Sequence, residues 1–310
     1  MMTTTSRRKA AIASLAGALA LGLAACGSSD DGDDTGADGG ATGGGEAGDV
    51  LTLEQLQEDG TITVGFAGEA PYSFQEGGEL TGATVALHER IWGELGIDNV
   101  EGQQAEFGQL IQGLNAGRFD VIAAGMSILP ERCEQASFSD PEFMYTTALM
   151  VEEGNPLGLS DMQSIADADG VQMAAMTGAI ESTYADSLGL ETLQVGNPQD
   201  GMDAVVNGRA DVFALTGISL NWMADNNPDA PVEVTESFVA VIDGEEQVGA
   251  GGTVFRDADT DLRDAYNEEL AKIVGDEATY LEVVGDFGFT AEERPTGDLT
   301  TEQLCAGDLG

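Results

Sequence analysis

The chain has 310 residues, of which 11 are Lys or Arg and 56 are Asp or Glu, so its formal net charge is −45 at pH 7. A surface this negative repels nucleic-acid phosphates, which excludes DNA and RNA as partners. Lysine is nearly absent, occurring at Lys9 and Lys272 alone. This balance suggests a salty environment, where ions screen the self-repulsion.

The N-terminus has the pattern of an export signal. Arg7, Arg8 and Lys9 precede an Ala- and Leu-rich run that ends in Leu-Ala-Ala-Cys at Cys26. A charged region, a short apolar core and small residues before the cut are typical of a secretion signal, and the run is too short for an ordinary transmembrane span. The ending resembles a lipoprotein signal, which predicts a signal peptide over 1–25 and acylation of Cys26. The paired arginines also hint at twin-arginine export, so the Sec and Tat routes both stay open.

Residues 26–50 have the composition of a flexible tether. They are rich in Gly, Ser, Thr and Asp and contain almost no apolar residue larger than Ala, so they cannot bury enough surface to fold. With the lipid on Cys26, this predicts a protein anchored to the cell membrane on its extracytoplasmic face. The remaining chain is long enough for two modest lobes or one large domain.

From Thr61 onward, predicted strands and helices alternate. The predicted elements, in chain order, are a strand over 61–66, a helix over 85–95, a short helix over 110–114, strands over 119–124 and 171–176, helices over 180–188 and 199–207, a strand over 211–215, a helix through Trp222, a strand over 250–255 and an amphipathic helix over 262–273. The apolar residues of the helices recur at helical spacing. This order predicts the α/β class.

The stretch 115–140 carries the strongest functional signal. Its buried strand ends in Gly125, where the chain can turn sharply or let a group approach its backbone. Ser127 and Arg132 follow. A hydroxyl and a planar guanidinium, five residues apart beyond the carboxyl end of a strand, suit the capture of a carboxylate. A structural strand followed by an exposed arginine is the alternative.

In this stretch a predicted strand is followed by Ala-Gly-Met, a small hydroxyl residue, Pro-Glu-Arg and Phe-Ser-Asp-Pro. It closely resembles the extracytoplasmic solute-binding proteins that feed amino-acid ABC importers, over roughly 61–287. The resemblance implies a two-lobed, periplasmic-binding-protein-like fold of type II with a ligand cleft between the lobes. It implies residues 51–146 and 250–310 for lobe 1 and residues 147–249 for lobe 2.

Two connections would cross between the lobes, at 143–150 and 248–253. The second contains Gly249, Gly251 and Gly252, which can absorb backbone rotation in a hinge. A Gly-rich edge strand or bulge has the same pattern, and the resemblance favours the hinge.

The resemblance also implies ligand-binding residues in lobe 1. Glu69 would pair with a ligand cation and Tyr72 would stack on it, because aromatic faces attract cations. Phe107 is a second candidate wall. Core packing of Tyr72 and surface exposure of Glu69 are the alternatives.

In lobe 2, Thr177 and Gly178 precede a predicted helix whose free N–H groups would bind an anion. Together with Arg132 and Ser127 they would clamp a carboxylate from both lobes. A simple N-terminal capping role for Thr177 is the alternative.

Thr216 departs from the family pattern in an informative way. Relatives that bind α-amino acids usually carry Asp there, where its carboxylate holds the α-ammonium group. The combination of Thr216 with Glu-Ala-Pro-aromatic, Phe-Gly-x-Leu-Ile and Pro-Glu-Arg-Cys resembles the ectoine- and hydroxyectoine-binding subfamily. In that case Glu69 would pair with the ring nitrogens of the ligand and Arg132 with its carboxylate. That subfamily tends to have an aromatic residue where Ser127 stands.

Cys133 and Cys305 form an even pair in an exported, oxidising context once Cys26 is acylated, which predicts a disulfide between them. Two unpaired thiols are the alternative.

Enzyme motifs are poorly represented. His88 is the one histidine, and the chain has no Gly-x-Ser-x-Gly elbow, zinc motif or phosphate loop. We therefore predict a monomeric binding protein without metal or cofactor, which captures a small zwitterionic solute by hinge closure and delivers it to importer permease subunits. A polar amino-acid-binding protein and a cyclohexadienyl-dehydratase-like enzyme on the same fold are the alternatives.

Overall fold

The computed structural model of the protein describes residues 50–242 and 244–307. The expected signal peptide, Cys26 and nearly all of the tether lie outside the described residues. The strands are β1 (Thr61–Phe66), β2 (Phe74–Glu76), β3 (Glu79–Thr81), β4 (Asn99–Gln104), β5 (Val121–Ser127), β6 (Ser137–Phe138), β7 (Phe143–Tyr145), β8 (Thr147–Glu152), β9 (Met173–Met176), β10 (Thr192–Val195), β11 (Val212–Thr216), β12 (Val232–Val234), β13 (Val241–Ile242), β14 (Glu245–Glu246) and β15 (Gly249–Phe255).

One helix precedes the first strand, and the others lie between the strands and after the last of them. They are α1 (Leu53–Asp59), α2 (Ala83–Glu94), α3 (Leu110–Asn115), α4 (Pro130–Cys133), α5 (Met162–Asp167), α6 (Ile180–Ser187), α7 (Pro198–Val206), α8 (Gly217–Asn226), α9 (Thr260–Val274), α10 (Glu277–Val284) and α11 (Thr301–Ala306). Among the described residues, no helix is both long and apolar enough to span a bilayer.

Two mixed sheets form the centres of two lobes. The first has the order β4-β1-β5-β15-β6, with β7 also paired to β15, and the second has the order β10-β9-β11-β8-β12. In each sheet three parallel strands are completed by antiparallel neighbours: β15 beside β5, and β8 beside β11. This is the two-lobed α/β architecture expected from the sequence. The lobe boundaries assigned from the sequence stay a prediction.

The central strands are continuous apolar runs because helices cover both faces of each sheet. All residues of β9 and β11 are buried, as are six of the seven residues of β5. One apolar cluster joins Leu110 and Ile122 of lobe 1 to Met176 and Phe213 of lobe 2. The two lobes therefore touch through packed side chains.

Strand β5 is longer than the sequence predicted. It runs on through Gly125 to Ser127, because β15 pairs with its end and places Gly251 opposite Ser127. Gly125 has φ +54°, and a Cβ there would lie 2.5 Å from Cδ1 of Tyr72. Of the two roles considered for Gly125, the close approach to its backbone is therefore found, by the Tyr72 ring, and the sharp turn is not, because the strand continues.

The chain crosses between the sheets twice, at Thr146 between β7 and β8 and again just before β15. The hinge role predicted for Gly251 and Gly252 is wrong, because both residues lie in paired strand. Gly251 lies against the Tyr145 ring, and a Cβ on Gly252 would lie 2.6 Å from the Ser139 hydroxyl. Close packing explains these two glycines. Gly249 also lies in paired strand, opposite Tyr145, and a Cβ there would make an ordinary contact of 3.9 Å with Tyr145 Cδ2.

A buried polar network lies behind β15 in lobe 1. Glu142 Oε1 accepts hydrogen bonds from the Thr253 hydroxyl at 2.6 Å and the Tyr266 hydroxyl at 2.7 Å. His88 Nδ1 accepts from Trp92 Nε1 at 2.9 Å, so its Nε2 carries the proton and donates to Thr253 at 2.7 Å. Burial lowers the pKa of His88 to about 3, which keeps this histidine neutral in a structural role.

Candidate ligand-binding site

Glu69 reaches across the cleft from the turn after β1 to lobe 2. Its side chain is buried, and its Oε1 accepts a hydrogen bond of 2.7 Å from the Ser219 hydroxyl, with the Thr216 hydroxyl at 3.4 Å. Burial raises the pKa of the Glu69 carboxyl to about 7, and the two hydroxyls lower it. The surface position considered for Glu69 is therefore wrong.

Arg132 lies at the same cleft, on α4, where Pro130 occupies the first helical turn. Its Nη1 donates to the Ser127 carbonyl at 2.7 Å, and its Nη2 donates to the Gly178 carbonyl of lobe 2, also at 2.7 Å. No carboxylate of the described residues lies within 4.0 Å of it. A guanidinium has five N–H donors, so two carbonyl contacts leave donors for a carboxylate.

Phe107 forms a wall beside this guanidinium. Its ring is buried at the start of a single 3₁₀ turn, and Arg132 Cζ lies 5.4 Å from the ring centroid. That distance allows a cation–π contact, which orients the guanidinium without using its N–H groups.

The site thus combines a cation and a carboxyl, each at the interface of the two lobes. Residues 62–282 match the family described as "Bacterial extracellular solute-binding proteins, family 3". The chain belongs to this family. Its members bind small amino-acid-like solutes and work with permease subunits of ABC importers.

Individual relatives agree with the family match. A probable amino-acid ABC transporter periplasmic-binding protein, y4tE of Sinorhizobium fredii, is 32% identical, with 83% of this chain and 86% of the relative covered. The crystal structure of EhuB in complex with hydroxyectoine is 32% identical, has a TM-score of 0.73, and covers 82% of this chain and 97% of EhuB. An ancestral arginine-binding protein bound to arginine is 25% identical, with a TM-score of 0.64 and 74% and 98% coverage.

Tyr72 of this solute-binding protein lies in the core of lobe 1. Its ring packs edge-on against Phe143, Tyr145 and Phe289, at centroid distances of 5.6, 5.9 and 5.5 Å. The side chain is 2% exposed, and its hydroxyl has no hydrogen-bond partner among the described residues. The alternative of core packing describes the ring in this structure, and the stacking on a ligand stays a prediction.

Ser127 and Gly178 meet Arg132 through backbone carbonyls. The sequence instead predicted that the Ser127 hydroxyl and N–H groups near Gly178 would bind an anion. The guanidinium can only donate, so it selects the carbonyl oxygens on either side of it. These contacts use neither the Ser127 hydroxyl nor the N–H groups near Gly178, so the predicted anion contacts of those groups stay a prediction.

Thr177 lies at the seam between the lobes. Its N–H donates to the Val195 carbonyl at 2.9 Å, and a Cβ on Gly108 of lobe 1 would lie 3.2 Å from its carbonyl oxygen. The helix start is at Ile180 with Ala179 as the N-terminal cap residue, so the capping role considered for Thr177 is wrong. Its side chain is exposed at the cleft.

Thr216 is the last residue of β11 and the N-terminal cap residue of α8. Its hydroxyl donates to the Ser219 hydroxyl at 3.0 Å, one turn into the helix. Both hydroxyls face Glu69, so the carboxyl at this point of the cleft comes from the opposite lobe. At position 216, where the family pattern of α-amino-acid-binding proteins has Asp, this chain thus places the neutral Thr216 hydroxyl beside the Glu69 carboxyl.

Three buried polar residues of the cleft were missed by the sequence reasoning: Ser219, Tyr145 and Glu181. Ser219 is signalled by its spacing of three from Thr216 at a helix start. Tyr145 donates to the Gly125 carbonyl, a contact that needs the fold to be known. Glu181 lies four residues after Thr177, in the sequence Thr-Gly-Ala-Ile-Glu, and burial raises its pKa to about 8.

A disulfide joins Cys133 to Cys305, with their Cα atoms 5.6 Å apart. Cys133 is the residue after Arg132, at the end of α4, and Cys305 is in α11. The C-terminal helix is therefore bound covalently to the element that carries the guanidinium.

Proposed function

We propose that this solute-binding protein captures a small zwitterionic solute, with ectoine or hydroxyectoine favoured, and delivers it to an ABC importer. Glu69 carries the proposal: a buried carboxyl in the cleft needs a positive partner, since an isolated buried charge is costly. Arg132, on the same lobe, supplies the complementary cation for a carboxylate. The likeness to the hydroxyectoine complex of EhuB supports this ligand class.

The cationic group favoured by this cleft is a delocalised one. Thr216 and Ser219 offer hydroxyls where an α-ammonium group would need a carboxylate, and they already engage Glu69. The amidinium of ectoine presents two N–H groups in one plane, and either of them can donate a charge-assisted hydrogen bond to a carboxylate. Its ring carboxylate would then bind Arg132, with Phe107 beside it.

A polar α-amino acid is the second candidate. Ser127 stands where the ectoine-binding subfamily tends to have an aromatic residue, so one wall of the expected aromatic cage is replaced by a small side chain. The arginine complex of the ancestral relative has the same overall fold and supports this candidate. The dehydratase alternative is tested by incubating the pure protein with prephenate or arogenate and assaying for product.

Titration calorimetry with ectoine, hydroxyectoine, glutamine and arginine tests the ligand. We expect ectoine to bind with micromolar or tighter affinity, and Arg132→Ala to weaken binding at least about a hundredfold, because a buried charged hydrogen bond is lost. Arg209→Ala is the matched control, since Arg209 is exposed, and it should change the affinity less than about twofold. Binding of glutamine without ectoine would reassign the ligand.

We further propose that the mature protein is a monomer anchored through a lipid on Cys26, with 26–50 as its tether. The Leu-Ala-Ala-Cys ending and the polar composition of the tether support this. Cys26→Ser should release the protein from the membrane fraction into the medium. Retention of the variant in washed membranes would contradict the anchor.

A further inference from the structure

Glu181 is a buried carboxyl at the cleft. The proposed function uses Glu69 and Arg132 as the two charged contacts of the ligand and assigns no role to Glu181. It is the second residue of α6, is 1% exposed, and its Oε1 has no hydrogen-bond partner among the described residues. A buried acceptor without a donor is rare in native proteins and calls for an explanation. One explanation is that a bound ligand supplies the missing hydrogen-bond donor to Glu181.

Two charged groups already described act on the pKa of Glu181: Glu69 raises it and Arg132 lowers it. Glu69 and Arg132 act on it from lobe 1, and Tyr184 lies on the next turn of its own helix. The Gly178 carbonyl, just before α6, accepts from Arg132 at 2.7 Å and so holds the helix start beside the guanidinium. Glu181 itself forms no ion pair with Arg132 within 4.0 Å.

We propose that Glu69 and Glu181 together bind the cationic end of the solute, one carboxyl from each lobe, while Arg132 binds its carboxylate. The proposal rests on the proposed function and narrows its ligand class. The solute carries a carboxylate and a cation with at least two N–H donors that point in different directions, as an amidinium or a guanidinium does. Glu181 is then a specificity-determining residue that contacts the solute when the lobes close.

Charge balance gives this arrangement a measurable consequence. Burial raises the pKa of Glu69 to about 7 and that of Glu181 to about 8, so near neutral pH Glu69 is partly protonated and Glu181 mostly protonated in the unliganded protein. A cation between them favours their ionised forms and lowers both pKa values. Binding therefore releases protons, and the affinity rises with pH until it levels off at about pH 8.

Glu181→Gln tests the pair, because it keeps the shape of the side chain and removes its charge. The probes are ectoine and L-arginine, titrated by calorimetry at about pH 6 and about pH 8.5, each in two buffers of different ionisation enthalpy to count released protons. We expect Glu181→Gln to weaken binding about tenfold or more at the higher pH, less at the lower pH, and to reduce the proton release. Glu106→Gln, an exposed acid at the cleft edge, should change the affinity less than about twofold.

The possible outcomes separate the two proposals. Glu181→Gln with wild-type affinity and an unchanged proton count overturns the carboxyl pair. If arginine binds and ectoine does not, the favoured ligand is wrong. The comparison of the wild type with Glu181→Gln, made with arginine as the probe, then tests the carboxyl pair. If neither probe binds the wild type, both proposals fail. Should Glu181→Gln not fold, Glu181→Asp replaces it and should keep the proton release with intermediate affinity.

Discussion

Gly125 shows how one missing Cβ shapes the cleft. Its positive φ of +54° and the contact with the Tyr72 ring leave no room for a side chain. Because Phe143, Tyr145 and Phe289 hold that ring, it cannot move aside. The residue therefore fixes the end of β5, from which the chain leads to Ser127 and Arg132.

Gly125→Ala is expected to lower the free energy of unfolding by roughly 2–4 kcal/mol, from backbone strain together with overpacking. Gly117→Ala is the matched control, because Gly117 also has a positive φ, +66°, but nothing lies within 4 Å of its Cβ position. It should cost only about 1–2 kcal/mol, the strain alone. Urea denaturation measures both, and equal losses would contradict a role for the Tyr72 contact.

For single residues, the sequence predicted which side chains lie at the cleft, but it predicted their hydrogen-bond partners poorly. It named Glu69, Phe107, Arg132 and Thr216, and these side chains lie at the cleft. It did not predict that Arg132 would bind backbone carbonyls, because backbone acceptors leave no trace in the residue pattern. Glu181 was overlooked since an acid in the first turn of a helix is also explained by the helix dipole.

Among the elements, α4 and α11 form a linked pair. The disulfide between Cys133 and Cys305 closes a loop of 172 residues of sequence separation, and α4 has only four residues. An isolated helix this short has no stability of its own. The covalent link to α11 is therefore a main restraint on the element that presents Arg132.

The double substitution Cys133→Ser and Cys305→Ser is expected to lower the free energy of unfolding by about 2–4 kcal/mol, as for other disulfides that close long loops. It should also weaken solute binding, because Arg132 loses its rigid support. Thermal unfolding and calorimetry measure the two effects. A thiol reductant should lower the stability and the affinity of the wild type and change neither in the variant. An affinity unchanged by the loss of the disulfide would show that the disulfide does not support Arg132.

The elements were predicted well where apolar periodicity is long and poorly where strands are short. Strand β1 has the predicted bounds, and α6, α7 and α9 differ from prediction by a residue or two at their ends. The strands β6, β7 and β12 have two or three residues each, too few for a periodic pattern to emerge. They form because a neighbouring strand offers hydrogen bonds, which is a property of the tertiary fold.

For the molecule as a whole, three buried acids make stability depend on pH. Burial raises the pKa of Glu69 and Glu142 to about 7 and that of Glu181 to about 8. The folded protein therefore binds more protons than the unfolded chain between these values and the ordinary carboxyl pKa. The resulting stabilisation is complete below about pH 4.5 and is lost as the pH rises through about 7 to 8.

Glu142→Gln isolates the part of this effect that lies away from the cleft. In the wild type we expect the contribution of Glu142, on the order of 3 kcal/mol, to vanish between about pH 4.5 and pH 7. The variant keeps an oxygen acceptor for Thr253 and Tyr266 but cannot ionise, so its melting temperature should fall less over that range. The melting temperatures of both proteins are measured against pH in ~1 M salt, which screens the exposed charges. Parallel pH profiles would contradict a contribution of Glu142.

Tyr145 resting on Gly251 has a consequence for how the molecule can bend. The two residues belong to β7 and β15, the strands that lead to the two crossings, and backbone pairing joins these strands as far as Gly249. Both strands therefore travel with the first sheet as one rigid piece, and rotation is left to Thr146 and the residues just before Gly249. Two short pivots side by side define a single rotation axis, so we expect the two lobes to open and close in one direction only.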